Sequence, residues 1–479
     1  MYRHGSYTSE VPTSLVPPAN STASLPVVFG TAPINQSKRE TAPVNEPVLC
    51  YTYKEAIEAL GYSSNFNDYT LCEFMSSHFS LYAQAPVVFV NVLSPEAHKK
   101  SGTPATLTVT KGKATLAENG VLLDSLVIKS DDGSTTYAKD QDYVIEFDDN
   151  GHINLFFSVS PDISSVQAEF EQLDPTMVSG QDIIGGVSPD GRIEGLELVN
   201  QIFSRFRLVP GQILAPKYST DSAVAAVMAA KASNINGLFK AVALIDISTS
   251  AVSSYTEVPA HKNDNNLTSP YQFPCWPKVS LGGTQYHFST QLASVICRTD
   301  VENEDIPYVS PSNKNLQADS AVLEDGSEVY LGVEQANYLN GEGITTALNF
   351  IGGWKVWGNR TGAYPGETDP KNTFISVRKM MNWIQNQTIL TCWQKVDDPT
   401  NKRLIETVVD SMNVWLNGLS ARGFILGGRI EFVKPENPLT SLIDGKVTFH
   451  IFVTPPTPGK ELNFLVEFDP NYFDTLFPS

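Results

Sequence analysis

Two apolar runs near the start of the chain are separated by helical patterns, and this order constrains the fold more than any other feature. Residues 25–30 and 85–92 each predict a buried strand. Between them, apolar residues recur at helical spacing over 53–60 and 71–82. Strand, helices and strand predict a parallel α/β unit, because a crossover returns the chain in the same direction. Its sheet needs cover on both faces.

The same alternation returns over residues 194–250. A helix at 196–206, a strand at 212–215, an alanine-rich helix at 222–232 and a strand at 241–247 predict further parallel crossovers. Open sheets of this kind bind nucleotides in many enzymes, but no G-x-G-x-x-G follows any of these strands. We therefore favour a structural α/β domain, with an open α/β enzyme acting on a small ligand as one alternative.

Residues 98–185 have a different pattern of short β runs between Asp, Asn and Gly turns. Between residues 131 and 174 there are 11 acidic residues and one basic residue, Lys139, which predicts a solvated, outward-facing insertion. Residues 146–151 resemble part of a calcium loop, but Phe157 stands where the bidentate carboxylate is required. A hairpin turn is the better interpretation.

The C-terminal part predicts one long helix followed by strands. Residues 400–419 carry an apolar stripe, and residues 398–400 supply a helix start signal. Apolar residues then alternate with period two over 447–453 and 462–468, which predicts two strands. Five of the six tryptophans lie from residue 350 onward, as expected for a packed core or a contact surface.

These patterns predict a multidomain protein of α/β and β class. Its α+β core would be built from N- and C-terminal portions, with inserted α/β and β-rich domains and extended terminal arms. The expected divisions are an N-terminal linking arm at 1–24, the N-terminal part of the core at 25–97, the acidic β-rich insertion at 98–185, an α/β middle domain at 186–340, the C-terminal core at 341–468 and a C-terminal linking arm at 469–479.

Charge and cysteine usage exclude several function classes. A net charge of −19 argues against direct nucleic-acid binding, which needs a basic surface. The five cysteines are scattered without a C-x-x-C pair, and the histidines have no ligand spacing, so we predict reduced thiols and no metal. An apolar leader and a membrane-length apolar run are both missing from the sequence, so we expect a chain that starts in the cytoplasm and does not insert into membranes.

Catalytic spacings are missing as well. Ser188 lies among glycines, but its stretch is one residue too long for G-x-S-x-G. Residues 352–361 combine three glycines and two tryptophans with Arg360, without the spacing of a phosphate loop or a zinc helix. We therefore predict no catalytic, cofactor-binding or metal-binding residue, and a protein that is not an enzyme.

Three stretches resemble the contractile tail sheath family of bacteriophages and related contractile injection systems. The first is residues 2–12, followed by the strand that runs into residues 29–33. The second is residues 294–300, leading to the Pro-Ser-Asn turn at 311–313. The third runs from 332–335 through Gly343-Ile344-Thr345 and Trp357-Gly358-Asn359-Arg360-Thr361 to residues 374–379. The family usually has asparagine after Ile344, so any role tied to that side chain is in doubt here.

The resemblance implies a structural subunit that polymerises as stacked hexameric rings around a tail tube and contracts to drive the tube through a target envelope. Its arms would add strands to a core sheet of neighbouring copies. The arm residues expected to link subunits are Gly5, Tyr7, Val11, Phe464, Val466, Phe473 and Phe477. The expected core motif residues are Trp354, Trp357, Gly358, Arg360 and Arg378.

The resemblance also implies partners and a location. The partners would be other copies of this chain, the tail tube protein, and baseplate and tail terminator proteins, with no cofactor. The particle tail would be assembled in the bacterial host cytoplasm. Candidates for tube contact, each with solvated surface charge as the alternative, are Lys355, Arg378, Lys379, Lys402 and Arg403. We expect Arg360 to pair with a carboxylate or carbonyls near the tryptophans. An unrelated capsid or surface-layer protein is the second alternative.

Overall fold

The computed structural model of this protein describes residues 19–20, 22–148, 151–158 and 163–476. Residues 19–97 contain β1 (Ala19–Asn20), β2 (Pro26–Gly30), β3 (Pro47–Cys50), α1 (Tyr53–Leu60), α2 (Thr70–Met75) with a π-helical continuation over Ser76–Leu81, β4 (Gln84–Ala85) and β5 (Val87–Asn91). Residues 98–185 contain β6 (Lys99–Ser101), β7 (Ala105–Thr108), β8 (Lys113–Leu116), β9 (Val127–Ser130), β10 (Thr136–Tyr137), β11 (Tyr143–Phe147), β12 (Ile153–Phe157), β13 (Ser165–Glu169), β14 (Glu171–Leu173) and α3 (Gly180–Ile184).

The second half of the chain is richer in helix. Residues 186–301 contain β15 (Gly186–Val187), β16 (Ile193–Glu194), a 3-10 helix (Gly195–Gln201), α4 (Ile202–Phe206), β17 (Gln212–Leu214), α5 (Ser222–Ser233), β18 (Val242–Asp246), α6 (Val258–Asp264), β19 (Gln272–Cys275), β20 (Lys278–Leu281), β21 (Thr284–Tyr286) and α7 (Phe288–Val301). The remainder contains β22 (Ser320–Val322), α8 (Val333–Gly341), β23 (Thr346–Phe350), β24 (Gly353–Trp357), α9 (Pro370–Thr373), α10 (Ile375–Cys392), α11 (Lys402–Ala421), β25 (Gly427–Glu431), α12 (Leu439–Ile443), β26 (His450–Thr454) and a 3-10 helix (Pro470–Leu476).

The central sheet has six strands in the order β19-β18-β17-β2-β5-β3. Its neighbours are parallel except β3, which runs antiparallel to β5. The parallel pairing of β2 with β5 confirms the prediction from the strand–helix–strand order. All residues of β2, β5 and β18 are buried, as expected for parallel strands covered on both faces. Helices α2, α5 and α7 contact strands of this sheet.

This sheet draws strands from two ranges that were assigned to separate parts of the chain. Its strands β2, β3 and β5 come from 25–97, and β17, β18 and β19 from 186–340. One continuous hydrophobic core surrounds them. The two ranges therefore share a sheet, and the wider division of the chain into domains stays a prediction.

The insertion has its own hydrophobic core between two sheets. One sheet has the order β10-β9-β13-β7 and the other β11-β12-β8. Their inward side chains, such as Ile128, Leu155 and Val166, are fully buried in a cluster separate from the main core. Strands β11 and β12 pair antiparallel, which confirms the hairpin predicted there in place of a calcium loop.

Helix α11 confirms the predicted C-terminal helix but starts differently. Its N-cap is Asn401, whose side chain accepts a hydrogen bond from Leu404 N at 2.9 Å. The predicted start at residues 398–400 was wrong, because Asn401 has the extended backbone of an N-cap and its side chain accepts the first-turn N–H. The apolar stripe packs on α10, with the rings of Trp383 and Trp415 at 5.7 Å.

Four of the five cysteines are buried thiols, which predicts alkaline destabilisation. Burial raises the pKa of Cys50 and Cys72 from 9.0 to about 12, and it raises the pKa of Cys275 and Cys297 in the same direction. The unfolded chain therefore loses thiol protons first as pH rises above 9. Stability from these groups is fully present below pH 9 and is lost as pH rises through the folded-state values.

Buried Lys262 opposes this trend, because burial lowers its pKa to about 8 and the unfolded chain then holds the extra proton. With the four thiols outweighing Lys262, we expect the free energy of unfolding to fall by about 3 kcal/mol per pH unit near pH 9.5. Urea unfolding under reducing conditions measures this slope. Cys72→Ala should make it shallower by about 1 kcal/mol per pH unit, because near pH 9.5 the unfolded thiol has lost about three quarters of its proton. A profile that stays flat from pH 8.5 to 10 would contradict the prediction.

Candidate assembly surface

The glycine- and tryptophan-rich stretch forms a tight hairpin. Strands β23 and β24 pair antiparallel, with Phe350 opposite Gly353. The turn between them needs a left-handed backbone at Gly352 and Gly353, with φ of 80° and 89°. Phe350 and Ile351 at the tip are exposed, whereas Val356 is buried in the main core. The hairpin is thus anchored at its base and projects apolar side chains at its tip.

The two tryptophans lie partly buried on this hairpin. Trp354 packs against the main core. Trp357 donates its indole N–H to Asn337 Oδ1 at 2.9 Å. Gly358 follows with φ of 146°, and a Cβ there would lie 2.9 Å from the Cα of Thr345. Close packing of two backbone segments therefore requires glycine at this position.

Arg360 has different contacts from those expected. Its guanidinium donates to Thr373 Oγ1 at 2.9 Å and lies 3.7 Å from the ring centre of Phe374 and 4.3 Å from that of Tyr364. In the described residues its hydrogen bond goes to a hydroxyl, and the predicted carboxylate or carbonyl near the tryptophans was wrong. The physical reason is that the backbone of 359–361 pairs with the start of α10, which brings aromatic rings next to the side chain.

Two of the five candidates for tube contact are buried, so that proposal was wrong for them. Arg378 donates to Asn382 Oδ1 and Asn372 Oδ1, both at 3.0 Å, beneath Tyr271. Lys379 forms an ion pair with Asp300 at 2.8 Å, with both side chains almost wholly buried. They lie on the face of α10 that packs inward. Lys402 and Arg403 are exposed, and Lys355 donates to Asn315 Oδ1.

The ion pair also holds the point where the N-terminal segment joins the core. Asp300 accepts a hydrogen bond from Ser24 Oγ. Nearby, Asp305 accepts from the backbone N–H groups of Thr22 and Ala23 at 3.0–3.2 Å. Carboxylates at the end of α7 therefore fix residues 22–24. The arm residues Gly5, Tyr7 and Val11 lie outside the described residues.

A two-stranded sheet near the C-terminus has two open edges. Strands β25 and β26 pair antiparallel, from Gly427 opposite Thr454 to Glu431 opposite His450. Within the described chain no third strand pairs with either. Ile451 and Val453 of β26 line an apolar groove of about 330 Å³ together with Ile384 and Ile389 of α10. Strand edges of this kind accept an added strand.

The second period-two run does not form a strand in the described chain, so that prediction was wrong. Residues 455–469 have no regular secondary structure. Phe464 is 84% exposed and Val466 is 96% exposed. The alternating pattern has no partner strand here to supply hydrogen bonds. Phe473 lies in the following 3-10 helix and is also exposed, and Phe477 falls outside the described residues.

The carboxyl edge of the central sheet holds a polar cleft of about 450 Å³, where an enzyme of the open α/β type would bind its ligand. Two of its charged side chains pair with carboxylates of the same chain. Lys278 pairs with Glu324 at 2.6 Å, and His287 Nδ1 lies 2.7 Å from Glu73. Burial acts against charge on His287, but the Glu73 carboxylate outweighs it and raises its pKa. These pairs link α2 to the start of α7, and β20 to the segment after β22.

Across the described residues, no group of three or more His, Cys, Asp or Glu side chains is arranged to hold a metal. The same part of the chain has no helix with the length and apolarity needed to cross a membrane.

Known proteins are similar to this chain along its whole length. No protein-family profile matches it. The tail sheath protein of Burkholderia phage BcepMu is 28% identical over 490 residues, which covers 99% of this chain and 98% of that protein. The chain is therefore similar over its whole length to a contractile tail sheath protein. A putative prophage major tail sheath protein of Pseudomonas aeruginosa is 26% identical over 60% of this chain and 72% of its own length.

Solved structures share the fold of this chain. A chain of the anti-feeding prophage baseplate aligns with a TM-score of 0.60 and 15% identity, covering 97% of this chain and 98% of that one. A chain of the PVC contractile injection system sheath complex in the contracted state aligns with a TM-score of 0.56 and 12% identity, covering 98% and 99%. The predicted resemblance to tail sheath proteins and the multidomain α/β class are confirmed, and the similar proteins favour a structural role in a sheath.

The sequence patterns did not predict the roles of Asp300 and Ser24, which hold residues 22–24 where the N-terminal segment joins the core. A signal was present, since Asp300 follows Ile296 by four residues and Cys297 by three and so falls on the buried face of α7. Lys379 likewise follows Ile375 by four on the buried face of α10. A charged residue at a helix position where the periodicity calls for an apolar one indicates a buried ion pair.

Proposed function

We propose that this chain is a sheath subunit that polymerises as stacked six-membered rings around a tail tube and contracts to drive the tube through a target cell envelope. One observation carries the proposal: an exposed apolar segment lies in the same chain as a two-stranded sheet with open edges. The segment comprises residues 462–476, and the sheet is formed by β25 and β26. Each copy therefore carries both a strand to donate and an edge to receive one.

The exposed side chains supply a driving force for exchange between copies. Burying a side chain of the size of phenylalanine, leucine or valine contributes about 1.5–3 kcal/mol. Leu462, Phe464, Val466 and Phe468 alternate along the segment, so a strand would place them on one face. The groove beside β26, lined by Ile451 and Val453, offers that face an apolar floor.

Strand exchange suits a sheath that must move without falling apart. Main-chain hydrogen bonds give directional links between copies, and the extended segments allow neighbouring subunits to pivot. On contraction, subunits would shift outward and rotate while the arms stay bound. Because strands from residues 25–97 and 186–340 share one sheet, we assign the core to these two ranges together with 341–461. We assign the arms to 1–24 and to the C-terminal residues from 462 onward, and solvent-facing positions to the acidic insertion at 98–185.

The remaining partners follow from the same proposal. The tail tube would contact the core, and baseplate and terminator proteins would cap the ends of the sheath. The net charge of −19 favours protein partners over direct contact with nucleic acid. The particle tail would be assembled in the host cytoplasm. An unrelated capsid or surface-layer role predicts sheets or shells instead of tubes.

Deleting residues 1–18 tests the N-terminal link. We expect a folded monomer that forms no tubes, because β1 and the anchored root at 22–24 remain while the arm is lost. Electron microscopy of the purified protein should show hollow striated cylinders for the full chain only. The two proteins should share one melting temperature. Cylinders of normal length from the shortened chain would overturn the arm role.

A further inference from the structure

A second cleft lies beside the hairpin, at the root of the exposed C-terminal segment. Its volume is about 450 Å³. Trp357, Asn359, Arg360 and Tyr364 form part of its wall, and residues 458–461 of the same chain form another part. Asparagine side chains at 313, 337 and 340 add amide groups. Amides of this kind hydrogen-bond an extended peptide backbone.

Arg360 lines this cleft, and most of its hydrogen-bond donors have no partner in the described part of the chain. A guanidinium has five N–H donors in a rigid fork, and one of them is used on Thr373. Phe374 and Tyr364 hold its plane in place. In the described part of the chain it has no carboxylate partner, although burial lowers its pKa and so disfavours the charge. A preorganised fork in this setting matches a carboxylate.

We propose that this cleft receives the C-terminal segment of a second copy of this chain, and that a carboxylate of that segment pairs with Arg360. The inference rests on the proposed function and adds a specific contact to it. Residues 462–473 are exposed and carry Glu467 and Asp469 between aromatic side chains. The cleft wall at 458–461 follows β26 by only a few residues. A strand donated parallel to β26 would therefore run toward the cleft.

Cross-linking identifies the partner carboxylate directly. Arg360→Lys places an amine in the cleft, and a carbodiimide then joins it to a carboxylate in contact. Tubes grown from a mixture of isotopically light and heavy subunits distinguish links between copies from links within one copy. We expect mixed light–heavy peptide pairs that join position 360 to residues 462–476. Links to Glu461 of the same copy, to another region or to no carboxylate would overturn the inference.

Assembly itself separates this inference from the proposed function. Tubes without the expected link refute the Arg360 contact alone, whereas a full chain that forms no tubes refutes the proposed function. If Arg360→Lys does not assemble, removing the negative charges of the donated segment provides the test. Glu467→Gln with Asp469→Asn should raise the critical concentration for tube formation about tenfold or more, as for loss of a desolvated interfacial pair. Glu461→Gln is the matched control and should stay within about twofold. Equal effects of the two changes would count against the pairing.

Discussion

Lys379→Met should lower the free energy of unfolding by about 3–5 kcal/mol, because it leaves Asp300 buried without its cation. Asp300 is wholly buried and accepts from Lys379 Nζ at 2.8 and 3.0 Å. Burial raises the pKa of Asp300 even in the intact protein, and Lys379 acts against this rise. Urea unfolding at pH 7 measures the loss.

The loss should depend on pH in a defined direction. Without Lys379, the folded-state pKa of Asp300 rises further above its unfolded value of about 3.9. A raised acid pKa contributes stability that is present below the unfolded value and lost as pH rises through the folded value. The deficit of Lys379→Met should therefore shrink as pH falls from 7 toward 4.

The matched control replaces both members of the pair. Asp300→Asn combined with Lys379→Met removes both charges and keeps similar volumes, so it should recover most of the loss. Ser24 Oγ retains a partner in that protein, so the N-terminal segment stays anchored. A single substitution that costs under about 1 kcal/mol would show that the pair contributes little.

Phe464→Ser should abolish or strongly weaken tube formation without changing the melting temperature of the monomer. Phe464 is 84% exposed in the single chain, so its loss removes no internal packing. In an added strand it would face the groove beside β26. Losing about 1.5–3 kcal/mol of burial per copy raises the critical concentration about tenfold to a hundredfold. Light scattering against protein concentration measures this.

Leu465→Ser is the matched control for that prediction. Leu465 is 98% exposed and adjoins Phe464, but successive side chains of a strand point to opposite faces. It should therefore raise the critical concentration far less. Equal effects of the two substitutions would argue against strand addition and for a helical or irregular contact.

Local patterns predicted the elements whose stability depends on near neighbours. The two helical patterns between residues 53 and 82 and the apolar stripe of α11 were readable because one face of each element must be buried. The glycines at 352 and 353 were consistent with a tight turn, because glycine readily adopts positive φ. The start of α11 was placed wrongly because several residues nearby have cap chemistry, and only backbone geometry selects Asn401.

The contacts that organise the assembly surface depend on residues far apart in the chain. Ser24 and Asp300 are separated by 276 positions, so no local period reports their hydrogen bond. The alternating pattern at 462–468 predicted a strand, but such a pattern does not show whether a partner strand exists in the same chain. The chemistry of Arg360 predicted a carboxylate partner, whereas in the folded chain it contacts Thr373 and two aromatic rings.

The amino-acid sequence alone indicated the strands and helices around the central sheet and the long helix α11, because burial of one face leaves a periodic trace. It also carried the motifs that resemble the sheath family. Tertiary structure alone decided that strands from residues 25–97 and 186–340 share one sheet, that Lys379 is buried against Asp300, and that β26 keeps an open edge. These features depend on pairings between distant segments. Such pairings are selected by the packing of the whole chain, because the free energy of each contact depends on what surrounds it.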